Sequence, residues 1–230
     1  MADLPPERVT SCFPFQRVGV DYCGPFQIAY PQRRIRPVKC FVAIYVCLVT
    51  KAVHLEIAAD LTTQAFLASL KRFCSRRDKP SLIMRRELHE LHRLFKSQQF
   101  QETVTHEAAD DNIAFRFTPA RSPNFGGLWE SAVKCFKTLF KRTIGTGTLI
   151  YDEMQTVLTQ TEAILNSRPL TPISNDPGDY EAITPGHFLI DRALTAIPEP
   201  NFDDIPENRL LAWQRVQRYT QQLWKKWSQL

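Results

Sequence analysis

Three runs rich in β-branched and aromatic residues follow one another before the first helical pattern, and this order restricts the folds open to the chain. The runs cover residues 15–21, 40–49 and 52–58, and their composition predicts β-strands. Three consecutive strands favour an antiparallel meander. Helical and strand patterns alternate after them, so the sequence predicts an α/β fold in which helices flank a mixed five-stranded sheet on both faces.

Helices are predicted where apolar residues recur with a spacing of three or four. Residues 62–77 form the first helix, which Thr62 or Asp60 can cap. Its apolar side consists of Phe66, Leu67, Leu70 and Phe73. The later helices are predicted at residues 87–95, 126–143 and 151–166, and the two remaining strands at 80–84 and 114–118.

The composition divides the 230 residues into a short N-terminal segment at 1–8, a globular domain at 9–170, a proline-rich linker at 171–207 and an amphipathic helix at 208–230. The prolines of the linker predict irregular structure. The apolar stripe of the final helix must be buried. The helix therefore either folds back on the core or pairs with a second copy, and the reach of the linker favours a homo-oligomer. The stripe consists of Leu210, Trp213, Val216, Thr220, Leu223 and Trp227.

Composition excludes some classes of protein and leaves others open. With 43% hydrophobic and 23% charged residues, the chain is predicted to be globular and not disordered. Its formal charge of +5 fits a nucleic-acid partner without requiring one. The longest apolar run, at 40–49, is about half of the ~20 residues that a membrane helix needs. The sequence therefore predicts no membrane partner. Its six cysteines, none in C-x-x-C spacing, favour buried, reduced thiols in an intracellular protein, either nuclear or cytoplasmic.

Two acids stand in contexts that suit metal-dependent chemistry. Asp21 lies in the middle of a strand pattern, and Glu130 lies in the first turn of a predicted helix, after a Pro/Gly loop. A strand carboxylate that faces a helix-start carboxylate can hold a hard cation for phosphoryl chemistry, because Mg²⁺ takes oxygen ligands. Alternatively, Asp21 accepts a hydrogen bond from neighbouring backbone, and Glu130 is a first-turn acid favoured by the helix dipole.

The junction between the strand at 80–84 and the helix at 87–95 lacks the residues that normally join such elements. Strand-to-helix loops usually take about 2–6 residues and end in a Ser, Thr, Asp or Asn cap. Arg85 and Arg86 supply neither a cap nor a favourable charge, because basic side chains oppose the dipole at a helix start. The segment is typical of two elements joined after the loss of a loop. Alternatively, the helix begins near Ser81 and there is no strand.

Several long motifs carry a resemblance to one family. They are residues 14–26 (PFQRVGVDYCGPF), 52–56 (AVHLE), 86–89 (RELH), 119–137, 165–172 (LNSRPLTP) and 183–190 (ITPGHFLI). The region from about residue 9 to 190 resembles the integrase core of Pao/BEL-type long-terminal-repeat retrotransposons. This resemblance implies an RNase H-like fold and three catalytic acids that bind metal. The first corresponds to Asp21 and the third to Glu130.

The second acid of the family lies in an S-D-x-G-like loop after the strand that here covers residues 80–84, and this loop is absent. The family activity is polynucleotidyl transfer with Mg²⁺ or Mn²⁺, in which Asp21 would bridge two ions and Glu130 would hold one. The resemblance therefore implies a protein that binds DNA, or alternatively RNA, with little or no catalysis. Two alternatives stay open: Glu87 or Glu90 replaces the lost acid in an active integrase, or the chain is a non-catalytic interaction protein or relic.

Cations near Glu130 are candidates for contacts with nucleic acid. Lys134, Lys137 and Lys141 follow Glu130 at +4, +7 and +11, so all four share one helix face. Cations beside a metal site suit phosphate binding, although a solvated face is an equal alternative. The loop before the helix adds polar residues that either contact phosphates or cap the helix. These are Arg121, Ser122 and Asn124.

Overall fold

The structure is a computed structural model that describes residues 6–30, 36–86, 112–118, 123–145, 147–176, 178–179, 181–194 and 199–228. For some of them, including residues 85–86, 117–118 and 123–130, the description covers the backbone only. The predicted helix at 87–95 lies outside the described residues. Within the described part of the chain, no helix is both long enough and apolar enough to cross a membrane.

A mixed sheet forms the centre of the fold, as the sequence predicted. Its strands run in the order β3-β2-β1-β4-β5. β2 and β3 pair antiparallel, whereas β4 pairs parallel with both β1 and β5. The short strand β6 pairs with the end of β1, at Ile28 and Ala29. The strands are β1 Arg17–Ala29, β2 Val38–Cys47, β3 Val53–Ala58, β4 Leu82–Arg86, β5 Ala114–Thr118 and β6 Leu149–Ile150.

β1 is longer than the sequence pattern indicated, because it continues through Gly24 and Pro25 to Ala29. Gly24 has a φ of 145°, which side-chain-bearing residues rarely adopt. A Cβ at this position would lie 2.8 Å from Phe41 Cδ1 and 3.1 Å from the Cys40 carbonyl oxygen. Glycine therefore allows β1 to run close to β2 where the sequence pattern predicted the end of a strand.

Helix α2, Thr63–Arg77, follows the short helix α1, Pro6–Val9, and the first three strands. The Thr62 hydroxyl accepts a hydrogen bond from the Ala65 backbone N–H at 3.2 Å, and Asp60 in turn accepts from Thr62. Both predicted capping residues therefore contribute to the start of the helix. The four residues of the predicted apolar side are all buried.

Helix α3, Pro123–Ile144, begins earlier than predicted. Proline at the first helical position has a preset φ and needs no hydrogen-bond donor, so the helix can start there. The prediction that Asn124 lies in a loop was therefore wrong, because Asn124 lies in the first turn. Glu130 is the eighth helical residue, and the first turn contains no acid. The prediction of a first-turn acid was also wrong.

Helix α4, Tyr151–Asn166, has the predicted bounds. The proline-rich segment after it contains two short strands, β7 Thr171–Pro172 and β8 Ala182–Ile183, which pair antiparallel. It also contains the four-residue helix α5, His187–Ile190, and ends with a 3₁₀ turn at Glu207–Arg209. Local pairing and turns therefore interrupt the irregular structure expected from the prolines.

Helix α6, Ala212–Trp227, packs against α4. Its buried residues are Val216, Tyr219 and Leu223, and Arg215 Nη2 donates to Glu153 Oε1 at 2.6 Å. Of the two alternatives stated for this helix, the structure shows the one in which it folds back. Trp213, expected on the apolar stripe, is 53% exposed. Pairing with a second copy stays a prediction.

The chain forms two compact units. The first combines Met1–Pro25 with Cys40–Val133, and the second combines Phe26–Lys39 with Lys134–Leu230. In the first, Tyr45 stacks on Phe73 with ring centroids 4.4 Å apart. In the second, the ring centroid of Phe140 lies 4.9 Å from the ring centroids of both Phe26 and Phe136. Aromatic contacts are thus a main part of the packing within each unit.

Candidate metal and nucleic-acid site

Asp21 lies in β1 directly after Val20 and is only 7% exposed. Its Oδ1 accepts a hydrogen bond of 2.7 Å from the backbone N–H of Tyr22. This is the kind of backbone contact that the alternative interpretation of Asp21 anticipated. A buried carboxylate costs free energy unless its oxygens have partners, and this bond supplies one of them. It is compatible with a metal ligand, since a carboxylate has several acceptor positions.

β4 brings two basic positions beside this part of β1. The parallel register pairs Val18 with Ile83, Gly19 with Met84 and Val20 with Arg85. One residue further, Asp21 in β1 corresponds to Arg86, the last residue of β4. The strand that precedes the loop in which the resemblance places the second acid therefore ends in two arginine positions.

The predicted strand before the junction is confirmed, and the alternative of a helix from Ser81 was wrong. The strand extends to Arg86, two residues past the predicted end. It is held between β1 and β5 by parallel pairing on both sides, and its residues Leu82, Ile83 and Met84 are buried. Strands buried in this way appear in a sequence as continuous apolar runs. The predicted strand therefore ended where the apolar run ends, and the two arginines after it were interpreted as a junction. Glu87 and Glu90 lie outside the described residues.

The third predicted ligand, Glu130, lies on α3, and its side chain is outside the description. Its convergence with Asp21 therefore stays a prediction. Glu130 lies in the third turn of α3. The alternative that the helix dipole favours this acid is therefore wrong, since the dipole effect falls off within the first turn. Arg121 and Ser122 lie outside the described residues.

The three lysines predicted to contact phosphates are exposed on α3. Their positions follow from the amphipathic pattern of the helix, whose other side is buried. That side consists of Val133, Phe136, Leu139 and Phe140. Within the described part of the chain, no carboxylate forms an ion pair with Lys134, Lys137 or Lys141. Their exposure is compatible with the predicted contacts to phosphates.

Sequence analysis missed a buried ionic cluster between β3 and α2. Glu56 is 1% exposed, and its carboxylate contacts His54 Nε2 at 3.0 Å, Arg72 Nε at 2.7 Å and Arg76 Nη1 at 3.1 Å. Arg77 Nε donates to His54 Nδ1 at 3.3 Å. Since Nδ1 accepts, His54 is neutral in this arrangement and its Nε2–H donates to Glu56.

The cluster lowers the pKa of Glu56. Burial raises this pKa, but the hydrogen bonds from His54 and Arg72 outweigh burial, and the charge of Arg76 adds to them. The C-terminal part of α2 is rich in basic residues. Three of those residues, Arg72, Arg76 and Arg77, are engaged within the fold. The signal in the sequence was the polar pair His54 and Glu56 inside an apolar strand.

In the part of the chain that the structure describes, there is no group of three or more His, Cys, Asp or Glu side chains that could hold a metal ion. Of the two predicted ligands, Asp21 and Glu130, only Asp21 has a described side chain. None of the six cysteines forms a disulfide bond.

Comparisons with known proteins show the fold. No family model matches the sequence, and no curated protein matches it. A chain of the simian T-cell lymphotropic virus intasome, solved in complex with the PP2A regulatory subunit B56 gamma, superposes with a TM-score of 0.52 at 18% identity. The match covers 88% of this chain and 64% of that one, so this chain spans less than two thirds of its neighbour's length.

Solved retroviral integrase cores are also among the structural neighbours. The HTLV-2 integrase catalytic core domain in complex with magnesium, in its trimeric form, gives a TM-score of 0.48 at 18% identity, over 78% of this chain and 99% of that one. The BIV integrase catalytic core domain gives 0.48 at 11% identity, over 77% and 95%. Together with the strand order, the intasome match shows an integrase-core-like, RNase H-like fold.

Proposed function

We propose that this chain is the integrase core of a Pao/BEL-type retroelement that has kept nucleic-acid binding and has lost metal-dependent polynucleotidyl transfer. Residues 9–170 are the core in this proposal, 171–207 the linker and 208–230 the first helix of a further domain. The substrate class is DNA, with RNA as the alternative. The assignment to Pao/BEL elements rests on the sequence motifs, and the integrase type is supported by the fold.

The register between β1 and β4 is the observation that carries the loss of catalysis. Two-metal catalysis needs ions about 3.5–4 Å apart, held by carboxylates around the reacting phosphate. Here the strand beside Asp21 ends in two arginines, with Val20 opposite Arg85. A basic position disfavours a nearby dication, because like charges repel.

Among the described residues, the oxygen donors do not fit a pair of Mg²⁺ or Mn²⁺ ions. Such ions need several oxygen ligands, and Asp21 is the one described carboxylate at this place. Glu130 could add a second, and nothing described supplies a third. No reaction step is therefore assigned to a metal in this copy.

Nucleic-acid binding does not depend on the lost acid. It depends on cations that replace the counterions of the phosphates, and α3 presents three exposed lysines within eight residues. Their spacing places them along one face of the helix. This face is the proposed contact with the backbone of duplex DNA.

An active integrase remains the second candidate, because Glu87 or Glu90 follows β4 closely in the sequence. A short segment after the strand could bring either carboxylate toward Asp21. This candidate predicts strand transfer that depends on Asp21. The third candidate, an interaction protein or relic, predicts no binding to nucleic acid.

Two measurements on the purified full chain separate these candidates. The first is strand transfer on a terminal-repeat oligonucleotide with Mg²⁺ or Mn²⁺, for which we expect no product. Product that disappears in Asp21→Asn would instead identify an active enzyme. The second is duplex affinity against salt concentration. Replacing Lys134, Lys137 and Lys141 with Gln should lower the log–log slope by up to about 2.7, since each phosphate contact contributes about 0.9.

A further inference from the structure

Helices α3 and α6 both end in two adjacent cations, and these ends meet. The last turn of α3 contains Lys141 and Arg142, and the last turn of α6 contains Lys225 and Lys226. Lys226 Nζ donates a hydrogen bond to the backbone carbonyl oxygen of Arg142. All four residues belong to the same compact unit. We call these four residues the basic corner.

The turn that follows α3 also lies close to α6. α3 ends at Gly145, which has a φ of 60° and whose N–H donates to the Lys141 carbonyl oxygen. The following turn leads to Gly147, where a Cβ would lie 3.5 Å from the Tyr219 hydroxyl of α6. Tyr219 is itself buried. The basic corner is therefore built on packed backbone and not on two independent surface side chains.

The side chains of the basic corner are largely accessible to solvent. Lys141, Arg142 and Lys225 are exposed, and Lys226 is partly exposed. Partial burial and the charge of Arg142 both lower the pKa of Lys226. Within the described residues, no carboxylate forms an ion pair with any of the four. A cation at a helix end is favoured by the dipole, but this effect does not explain why Lys226 reaches the carbonyl of another helix and lies beside its arginine.

We propose that the basic corner is a second phosphate-binding surface for duplex nucleic acid, which extends the lysine face of α3 onto α6. The inference rests on the proposed function and adds α6 to the binding surface. Lys134 and Lys141 are separated by seven residues, or about 10 Å of helix. Duplex DNA carries one charge per about 1.7 Å of its axis, so the lysine face alone spans about six phosphate charges. The basic corner lengthens this track at its Lys141 end.

The test compares the salt dependence of duplex binding among four forms of the full chain. They are the wild type, Lys225→Gln/Lys226→Gln, the α3 triple variant with Gln at 134, 137 and 141, and a control with the same loss of two charges. The control is Arg192→Gln/Arg209→Gln, since both arginines are exposed in the same unit and lie outside α3 and α6. Binding is measured by fluorescence anisotropy of a labelled duplex between 50 and 300 mM salt.

The α6 double variant should lower the log–log slope by up to about 1.8, as two lost phosphate contacts require, whereas the control should keep the wild-type slope. An equal change in both would mean that net charge alone is responsible and would overturn the proposal. If the log–log slope falls in the α3 triple variant but not in the α6 double variant, the proposed DNA binding by α3 stands and the basic corner takes no part in it. A wild-type protein that does not bind the duplex would contradict both the proposed function and the proposed role of the basic corner.

Loss of the Lys226 contact could also disturb the packing of α6, so a second variant is needed. Lys225→Gln alone removes an exposed cation that makes no described contact, and it should lower the slope by up to about 0.9. Thermal melting of each variant checks that the fold is intact. A Lys225→Gln slope equal to that of the wild type, with an unchanged melting midpoint, would contradict the proposal.

Discussion

Val20 of β1 lies opposite Arg85 of β4 in the parallel part of the sheet. The next residues along the two strands are Asp21 and Arg86, so these two positions are neighbours across the sheet. Side chains of the same parity along a strand share a face. An acid at position 86 would therefore occupy the place next to Asp21 in the sheet, at the end of the strand that precedes the loop in which the resemblance places the second carboxylate.

Arg86→Asp should restore metal binding to the chain. The substitution removes a cation and adds an oxygen ligand beside Asp21, and both changes favour Mn²⁺. With Mn²⁺ at ten times its dissociation constant, we expect stabilisation by about 1.4 kcal/mol. The measurement is the melting midpoint with and without Mn²⁺.

The controls for this variant separate the new ligand from the lost charge. Arg86→Gln removes the cation without adding a carboxylate and should show no effect of Mn²⁺. Adding Asp21→Asn to Arg86→Asp should abolish the effect. Stabilisation of Arg86→Gln equal to that of Arg86→Asp would mean that position 86 does not contribute a ligand.

The sequence predicted the strands and α4 well because their apolar periodicity is strong. The predictions were less accurate where contacts between residues far apart in sequence determine the bounds of an element. β1 runs past Gly24 because of its close approach to β2, which no local pattern indicates. The arginines of β4 read as a junction, since a strand buried between two others has no alternating pattern to mark its end. Of the proposed site, Asp21 could be placed on its strand from the sequence, whereas its register with β4 required the fold.

The cluster around Glu56 was missed for a related reason. A strand sequence shows that His54 and Glu56 share a face, but not that α2 covers this face with three arginines. Glu56 and its arginine partners lie on different elements, so only the packing of α2 on β3 brings them together. Two predictions concern this cluster.

Glu56→Gln should lower the free energy of unfolding by about 1–3 kcal/mol. Removing one partner of a buried ionic group typically costs about 3–5 kcal/mol. We expect less here because the side chains of Arg72 and Arg76 are 42% and 49% exposed, so solvent screens them. Urea unfolding measures the change. Asp204→Asn, which neutralises an exposed acid, should change stability by no more than about 0.5 kcal/mol, and an equal loss in both would contradict a specific role for the cluster.

The stabilisation by Glu56 should depend on pH. Its pKa in the folded protein is lower than the ordinary value of 4.5, so the unfolded chain binds the proton more tightly. The contribution is therefore complete above about pH 4.5 and is lost as the pH falls through the folded pKa. The difference in unfolding free energy between wild type and Glu56→Gln should narrow from pH 5 toward pH 3. A difference that stays constant over this range would show that the charge of Glu56 is not responsible.

Leu223→Ala should destabilise the unit that contains α4 and α6. Leu223 is fully buried on the face of α6 that packs against α4. Truncation of a buried leucine costs about 2–5 kcal/mol through lost burial and the remaining cavity. Leu211→Ala is the matched control, because Leu211 is 61% exposed, and it should change stability by no more than about 0.5 kcal/mol. Similar losses in the two variants would contradict the packing of α6 on α4.

Deletion of residues 208–230 should destabilise the protein, because α6 covers apolar residues of α4 and Arg215 pairs with the buried Glu153. The uncovered surface would lower the melting midpoint. Self-association through α6 would then have to use its exposed side, where Trp213 and Leu211 lie. Leu211→Gln, which keeps the contact between Trp213 and the buried Phe202, should weaken such association in sedimentation velocity and leave the midpoint unchanged. A truncated chain that melts at the wild-type temperature and sediments as a monomer, while the full chain sediments as a dimer, would instead assign α6 to pairing between two copies.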